Sequence, residues 1–234
     1  MRIDKQRGFS VLELIVVVAI VLILGGMIAP RIVTILDSQR LQLTAQAYAG
    51  LLQEARARAV QDNQIYQVLA GANNGVSVAF VDLNGDSIYN PQGLNGSPPE
   101  PAVQMPNPII ITATNAPQGQ QGFDTVRPLN VVPMNLATNP PMVNSLGAAS
   151  PGIAFNERGL PCQRIVVNGA CSNPSVVLPA GGPPPVITPV AWVTYFRYSR
   201  RAGAGFDWAA VSVSPAGRIK TWKFQMDNNG GSWQ

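Results

Sequence analysis

The sequence predicts an α+β protein: one long N-terminal helix packed on an antiparallel β-sheet domain. Three observations carry this prediction. The run from Phe9 to Ala29 is 21 residues long and holds a single charge, Glu13. Between Arg31 and Asp62 helical periodicity continues, with Gly50 the only isolated breaker. Beyond Ile65 the pattern changes to short β-branched and aromatic runs separated by Gly, Pro and Asn clusters.

The first element is a helix over 9–63, of which 9–29 has the length and apolarity of a membrane span. A helix of that size covers roughly 30 Å, the thickness of a bilayer core. Arg2, Lys5 and Arg7 precede it against a single Asp4, which puts the N-terminus in the cytoplasm and the bulk of the chain outside it. A secretory signal would have a shorter apolar core with a small-residue cleavage site after it. Glu13 is the anomaly. A lone charge in hydrocarbon costs about 2.5–3.5 kcal/mol, so an acid there points to a function.

From Arg31 the helix becomes amphipathic. Leu36, Leu43, Ala47, Leu51, Ala55 and Ala59 recur at steps of seven or four and are expected on the buried face. Glu54 and Arg58 form an i,i+4 pair. Pro30, beside Gly25 and Gly26, is expected to kink or loosen the helix, because it removes a backbone hydrogen bond and clashes with the preceding turn.

The β domain spans 64–234. Its expected strands are 65–69 and 76–81, joined by a turn over Gly71–Gly75, followed by islands at 109–112 and 130–132. Further strands are expected at 152–155, 163–167 and 175–178, then at 190–198, 208–213 and 218–224. Residues 84–150 are dense in Pro, Gly and Asn, and there is no clear internal repeat.

Composition narrows the function. The chain has no His, which removes Ser-His and Cys-His catalysis and His-ligated metals. Only 12% of residues are charged, against an ordinary quarter. With 22 Gly and 21 Pro the chain should be loop-rich and β-rich. Carboxylates are scattered and no glycine motif cradles a phosphate, so the chain reads as a non-enzyme.

The motif Arg7-Gly8-Phe9-Ser10-Val11-Leu12-Glu13 resembles that of the type IV prepilins. The resemblance implies a leader over 1–8, cut between Gly8 and Phe9 by a prepilin peptidase that also methylates the new amine of Phe9. The apolar helix is then kept as the packing core of a filament. It implies that Glu13 pairs with a neighbouring subunit's N-terminal amine, since two charges costly alone are tolerated together. A helix-loosening Pro at the position of Pro30 is a feature of that family.

Three looser stretches, 48–59, 154–159 and 211–218, are similar to the GspH/FimT branch, in which the helix is followed by a β domain alone. The function so implied is that of a minor pilin or pseudopilin of a type II secretion pseudopilus or type IV pilus. Its implied partners are other pilin subunits and the inner membrane, and its β domain is periplasmic. The alternatives are a DNA-binding minor pilin acting in DNA uptake and, less well supported, a major pilin.

The resemblance bears on three more sites. In an oxidising periplasm Cys162 and Cys171 are expected to form a disulfide; the spacing is not that of a redox or metal motif. Asp82, Asn84 and Asp86 alternate as at the start of a calcium loop, and relatives sometimes carry calcium. Ser87 and Gly93 stand where the sharp-turn Gly and the bidentate Glu should be, so Asx-turn chemistry is the competing reading. Basic residues also interleave with aromatics. Arg197, Arg200 and Arg201 lie among Trp192, Tyr195, Phe196 and Tyr198, and Arg218, Lys220 and Lys223 lie near Trp222. Such interleaving suits DNA phosphates and stacked bases. Gly217-Arg218-Ile219-Lys220 nearly matches a Gly-Arg-x-Arg element of DNA-uptake pilins, which makes Arg218 and Lys220 the candidate DNA contacts. Strand alternation explains the same residues without DNA and is the preferred reading.

Overall fold

The computed structural model describes residues 10–73, 76–93, 96, 98–112, 116–117, 153–164, 170–171, 175–178, 186–189, 192–199, 205–225 and 231–234, with backbone alone at 27–34, 72–73, 163, 175–178 and 186–189. The chain divides into two compact units, 1–40 and 41–234.

Helix α1 runs Val11–Asp62. Ser10 caps its start: the Leu12 amide donates to Ser10 Oγ at 3.3 Å and the Leu14 amide to Ser10 O at 3.1 Å. Asn63, at φ 54°, follows its end in the left-handed conformation that closes many helices. The helix is continuous through Gly25, Gly26 and Pro30.

In the second unit the buried line of α1 is Leu41, Ala45, Tyr48, Leu52, Ala55 and Ala59. Its steps alternate four and three and so hold one face at 3.6 residues per turn. This corrects the expected line at three positions. Leu36, Leu43 and Ala47 are exposed, Leu43 by 63%. A uniform step of four advances about 40° each time and leaves the face within three steps.

Strands β1 (Tyr66–Asn73), β2 (Val76–Asp82), β3 (Ala102–Gln104), β5 (Ile153–Phe155) and β6 (Pro161–Gln163) form one antiparallel sheet, ordered β3-β2-β1-β5-β6. A second antiparallel sheet contains β4 (Ile109–Ile111), β9 (Trp192–Ser199), β10 (Phe206–Val213), β11 (Ile219–Gln225) and β12 (Ser232–Trp233), ordered β12-β11-β10-β9-β4. Between them in chain order, β7 (Ser175–Leu178) and β8 (Val186–Pro189) pair as a separate ribbon.

One core holds the helix and both sheets. Tyr48 and Leu52 meet Val68, Ala79 and Phe155 of the first sheet and Trp192, Phe196 and Val211 of the second in a single buried cluster. The fully buried Tyr48 packs edge-on against Phe196 at 5.2 Å, and its hydroxyl shares a 3.2 Å hydrogen bond with Thr194 Oγ1. Burial pushes the Tyr48 hydroxyl far above its ordinary pKa and keeps it neutral. On the far face of the first sheet Leu69, Val78 and Phe80 form a smaller cluster, covered by Tyr89 and Ala102.

Several expected boundaries move. β1 continues through Gly71 to Asn73, because Gly71 and Ala72 pair with Val78 and Ser77. A strand is present at Pro161–Gln163, overlapping the one expected at 163–167 only at Gln163; residues 165–167 of that expectation lie outside the described residues. Pro161 is tolerated as the first residue of an edge strand, where its missing N–H costs no ladder bond. β3, β8 and β12 are additional to the expected set: two are only two or three residues long, and β8 ends on a Pro that reads as a breaker. The island at 130–132 lies outside the described residues.

Candidate functional site

Gly8 and Phe9 lie outside the described residues, which begin at Ser10. Glu13 stands in the first turn of α1 and is exposed. There its charge is favoured by the positive end of the helix dipole. Ser10 and Glu13 also have the S-x-x-E spacing of a capping box, a local signal independent of any partner. Around Glu13 the helix is apolar on every side. Twelve Val, Leu and Ile side chains between Val11 and Leu24 are 49–76% exposed. A helix of this kind is stable where something other than water surrounds it, either lipid or neighbouring helices.

Among the described residues no helix is long and apolar enough to cross a membrane. Phe9 and the side chains of 27–34 are not among them, so the 21-residue run of the sequence is only partly covered. Pro30 falls in the stretch described by backbone alone and is helical there.

A second site lies in the loop after β2. Asp82 and Glu100 are buried, at 5% and 6% exposure, and Asp86 is half-buried. One carboxylate oxygen of each lies within 4.8 Å of the others. Asp82 accepts from the amides of Gly85 at 2.7 Å and Ser87 at 3.0 Å. Glu100 accepts from the amides of Asn90 at 2.7 Å and Leu83 at 3.3 Å. Asp86 accepts from the Ile88 amide at 2.7 Å and from the side-chain amides of Asn84 at 2.8 Å and Asn90 at 2.9 Å. The carboxylates thus act as the loop's scaffold.

Burial raises the Asp82 carboxyl above its ordinary pKa despite the amides of Gly85 and Ser87. Glu100 is pushed up to about 7, by burial first and by the charges of Asp82 and Asp86 last, against the Asn90 and Leu83 amides. Asn84 joins this set only through Asp86, whereas Glu100 completes it. The sequence signal for Glu100 was a lone acid in a Pro-Pro-Glu-Pro run, outside the alternating stretch. Ser87 takes φ 62°, so the turn expected of a Gly is made by a Ser. Calcium needs about six to eight oxygens. The described carboxylates supply part of such a shell, and their hydrogen bonds alone account for the shape of the loop.

The basic and aromatic residues lie on the second sheet. Arg197, Lys220 and Trp222 share one face, being opposite Trp208, Ser212 and Ala210 of β10. The Lys220 ammonium sits 3.6 Å from the centre of the Trp222 ring, and the Arg197 guanidinium 4.5 Å from that of Phe206. Trp222 Nε1 donates to Ser212 Oγ at 2.8 Å. Arg218 is exposed in the β10–β11 turn. Lys220 and Arg197 therefore lie over the sheet's own aromatics, as cations of alternating strands do. Arg200 and Arg201 lie outside the described residues. Cys162, buried on β6, is bonded to Cys171, with their Cα atoms 5.5 Å apart.

Comparison with known proteins adds one finding. A family model described as the prokaryotic N-terminal methylation motif matches residues 3–29. The match supports a type IV prepilin-like protein, a structural subunit that is processed by a prepilin peptidase and assembled with other pilin subunits. No curated protein and no solved structure is significantly similar to this chain.

Proposed function

We propose that this chain is a minor pilin or pseudopilin of the GspH/FimT type, a building block of a type IV pilus or type II secretion pseudopilus. The observation that carries this reading is the methylation motif matched over 3–29, together with a helix from Val11 whose first turns are apolar all round except at Glu13. On this reading the chain waits in the inner membrane, with 9–29 spanning it and the β domain in the periplasm. A peptidase cuts between Gly8 and Phe9 and methylates Phe9. The helix then exchanges lipid for neighbouring helices, and Pro30 gives the hinge at which it adjusts.

Glu13 sets the register. Inside a filament of apolar helices its carboxylate needs a cation, and the methylated amine of an adjacent Phe9 is one. Removing one partner of such a pair strands the other in an apolar setting, a loss of about 3–5 kcal/mol. Glu13→Ala should therefore be cleaved after Gly8 at the normal rate, yet be largely missing from sheared filaments. The measurement is an immunoblot of membrane and filament fractions beside mass spectrometry of the processed N-terminus. Normal incorporation of Glu13→Ala would overturn the pairing.

A further inference from the structure

Three stretches far apart in the sequence meet at Arg56 of α1. Its Nη1 donates to Gly217 O at 2.8 Å, in the turn between β10 and β11. The turn between β5 and β6 packs on the same side chain. A Cβ added to Gly159 would lie 3.2 Å from Arg56 Nε and 3.0 Å from Val60 Cγ2. One added to Gly217 would lie 3.1 Å from Arg56 Cζ and 3.0 Å from Gly159 O. Both glycines have positive φ, 70° and 78°, so an L side chain is disfavoured there by conformation as well as by space.

The two turns are built alike. The Asn156 amide donates to Leu160 O and the Ser214 amide to Arg218 O; the Gly159 amide returns to Asn156 O and the Gly217 amide to Ser214 O. Each is braced by its first side chain: Asn156 Oδ1 accepts from the Arg158 and Leu160 amides, and Ser214 Oγ from the Arg218 amide. Yet they belong to different sheets, β5–β6 to the first and β10–β11 to the second.

We propose that Arg56 couples these turns, making the 156–160 and 214–218 loops and the end of the helix one rigid body. The exposed residues Glu157, Arg158, Ala216 and Arg218 then form a single surface of fixed shape, and an event at one turn is transmitted to the other. This follows from the 41–234 unit alone and does not rest on the filament reading. Two properties of Arg56 are required. Its hydrogen bond satisfies the Gly217 carbonyl, and its flat guanidinium fills the slot left by two missing Cβ atoms.

The test is hydrogen–deuterium exchange on the full chain in detergent micelles, read separately over 156–160 and 214–218. Gly217→Ala should speed exchange of the Arg158, Gly159 and Leu160 amides about tenfold, although the substitution is in the other sheet. Gly159→Ala should do the same to the Gly217 and Arg218 amides, because a coupling free energy is reciprocal. In an Arg56→Met background Gly159→Ala should no longer alter exchange of the Gly217 and Arg218 amides; this arm starts from Gly159 because a Cβ there meets Arg56 and Val60, whereas one on Gly217 would also meet Gly159 O directly. A rise confined to the substituted turn overturns the proposal, and so does coupling that survives the loss of Arg56. If tryptophan fluorescence shows that Gly217→Ala does not fold, Arg56→Lys decides: both turns must loosen together, and loosening of 214–218 alone refutes the coupling.

Discussion

Raising the pH should weaken this fold over an unusual range, and Glu100 is the reason. Its carboxyl is buried beside Asp82 and Asp86, and its pKa is pushed up to about 7 from an ordinary 4.5. The folded state therefore keeps a proton that the unfolded chain has already lost. The stabilisation is whole below about pH 4.5 and disappears as pH rises through about 7. A tenfold difference in proton affinity between the folded and unfolded chain is worth about 1.4 kcal/mol, which sets a ceiling of about 3 kcal/mol. The neighbouring Asp86 is only half-buried, so water screens part of this effect, and a loss of about 1–2 kcal/mol between pH 5 and 8 is expected. Asp82, raised by burial, acts with the same sign, weakening the fold as pH rises above its ordinary range.

The assay is urea unfolding of the full chain in micelles with a chelator present, followed by tryptophan fluorescence at pH 5, 6, 7 and 8. The midpoint should fall steadily, and Glu100→Gln, which cannot ionise, should flatten the slope. Adding calcium at pH 8 asks separately whether Asp82, Asp86 and Glu100 accept a cation. If they do, the midpoint recovers and the pH slope shrinks. A midpoint that rises or stays level from pH 5 to 8 without metal would refute the account of Glu100.

Two further outcomes test the packing. Leu52→Ala, at a position with no exposure, should cost about 2–5 kcal/mol, whereas Leu43→Ala, 63% exposed, should cost under about 0.5 kcal/mol in the same denaturation experiment. Equal losses would mean that the helix does not present the face described. Reducing the Cys162–Cys171 bond, or replacing both cysteines by Ser, should lower stability by about 2–3 kcal/mol through the short loop it closes. An unchanged midpoint would show that the bond adds nothing to the fold.

The long helix and the strong strands were legible because each rests on a local pattern. Val11–Asp62 needs only an apolar run followed by helical periodicity, strong enough to carry through Gly25, Gly26, Pro30 and Gly50, and β1, β2 and β9–β11 need only alternation between turn residues. The face of the helix was not legible in the same way. Leu36, Leu43 and Ala47 are as apolar as the true core, and only the sheets determine that Tyr48 and Leu52 point inward. The short strands failed for a related reason. β3 and β6 are three-residue edges whose pairing is set by β2 and β5, not by their own composition. At the sites, Asp82 and Asp86 announced themselves by spacing. Glu100 did not, since a loop returns it to them from beyond a Pro- and Gly-rich stretch. Arg56 gives no local signal of its role, because its partners lie in two distant turns.

The hydrogen bond between Tyr48 and Thr194 spans 146 residues of chain, and it orders events during synthesis. At about 5–20 residues per second, the helix waits roughly 7–30 s for the strand that completes its cover. The hairpin of β1 and β2 emerges directly behind it, so Val68, Ala70, Ala79 and Val81 are the first side chains able to shelter Tyr48 and Leu52. The second sheet must close over a face that the first already half covers. A chain stopped before Trp192 would keep that half-covered face open, which makes the late strands the step at which nascent copies of this protein are most exposed to one another.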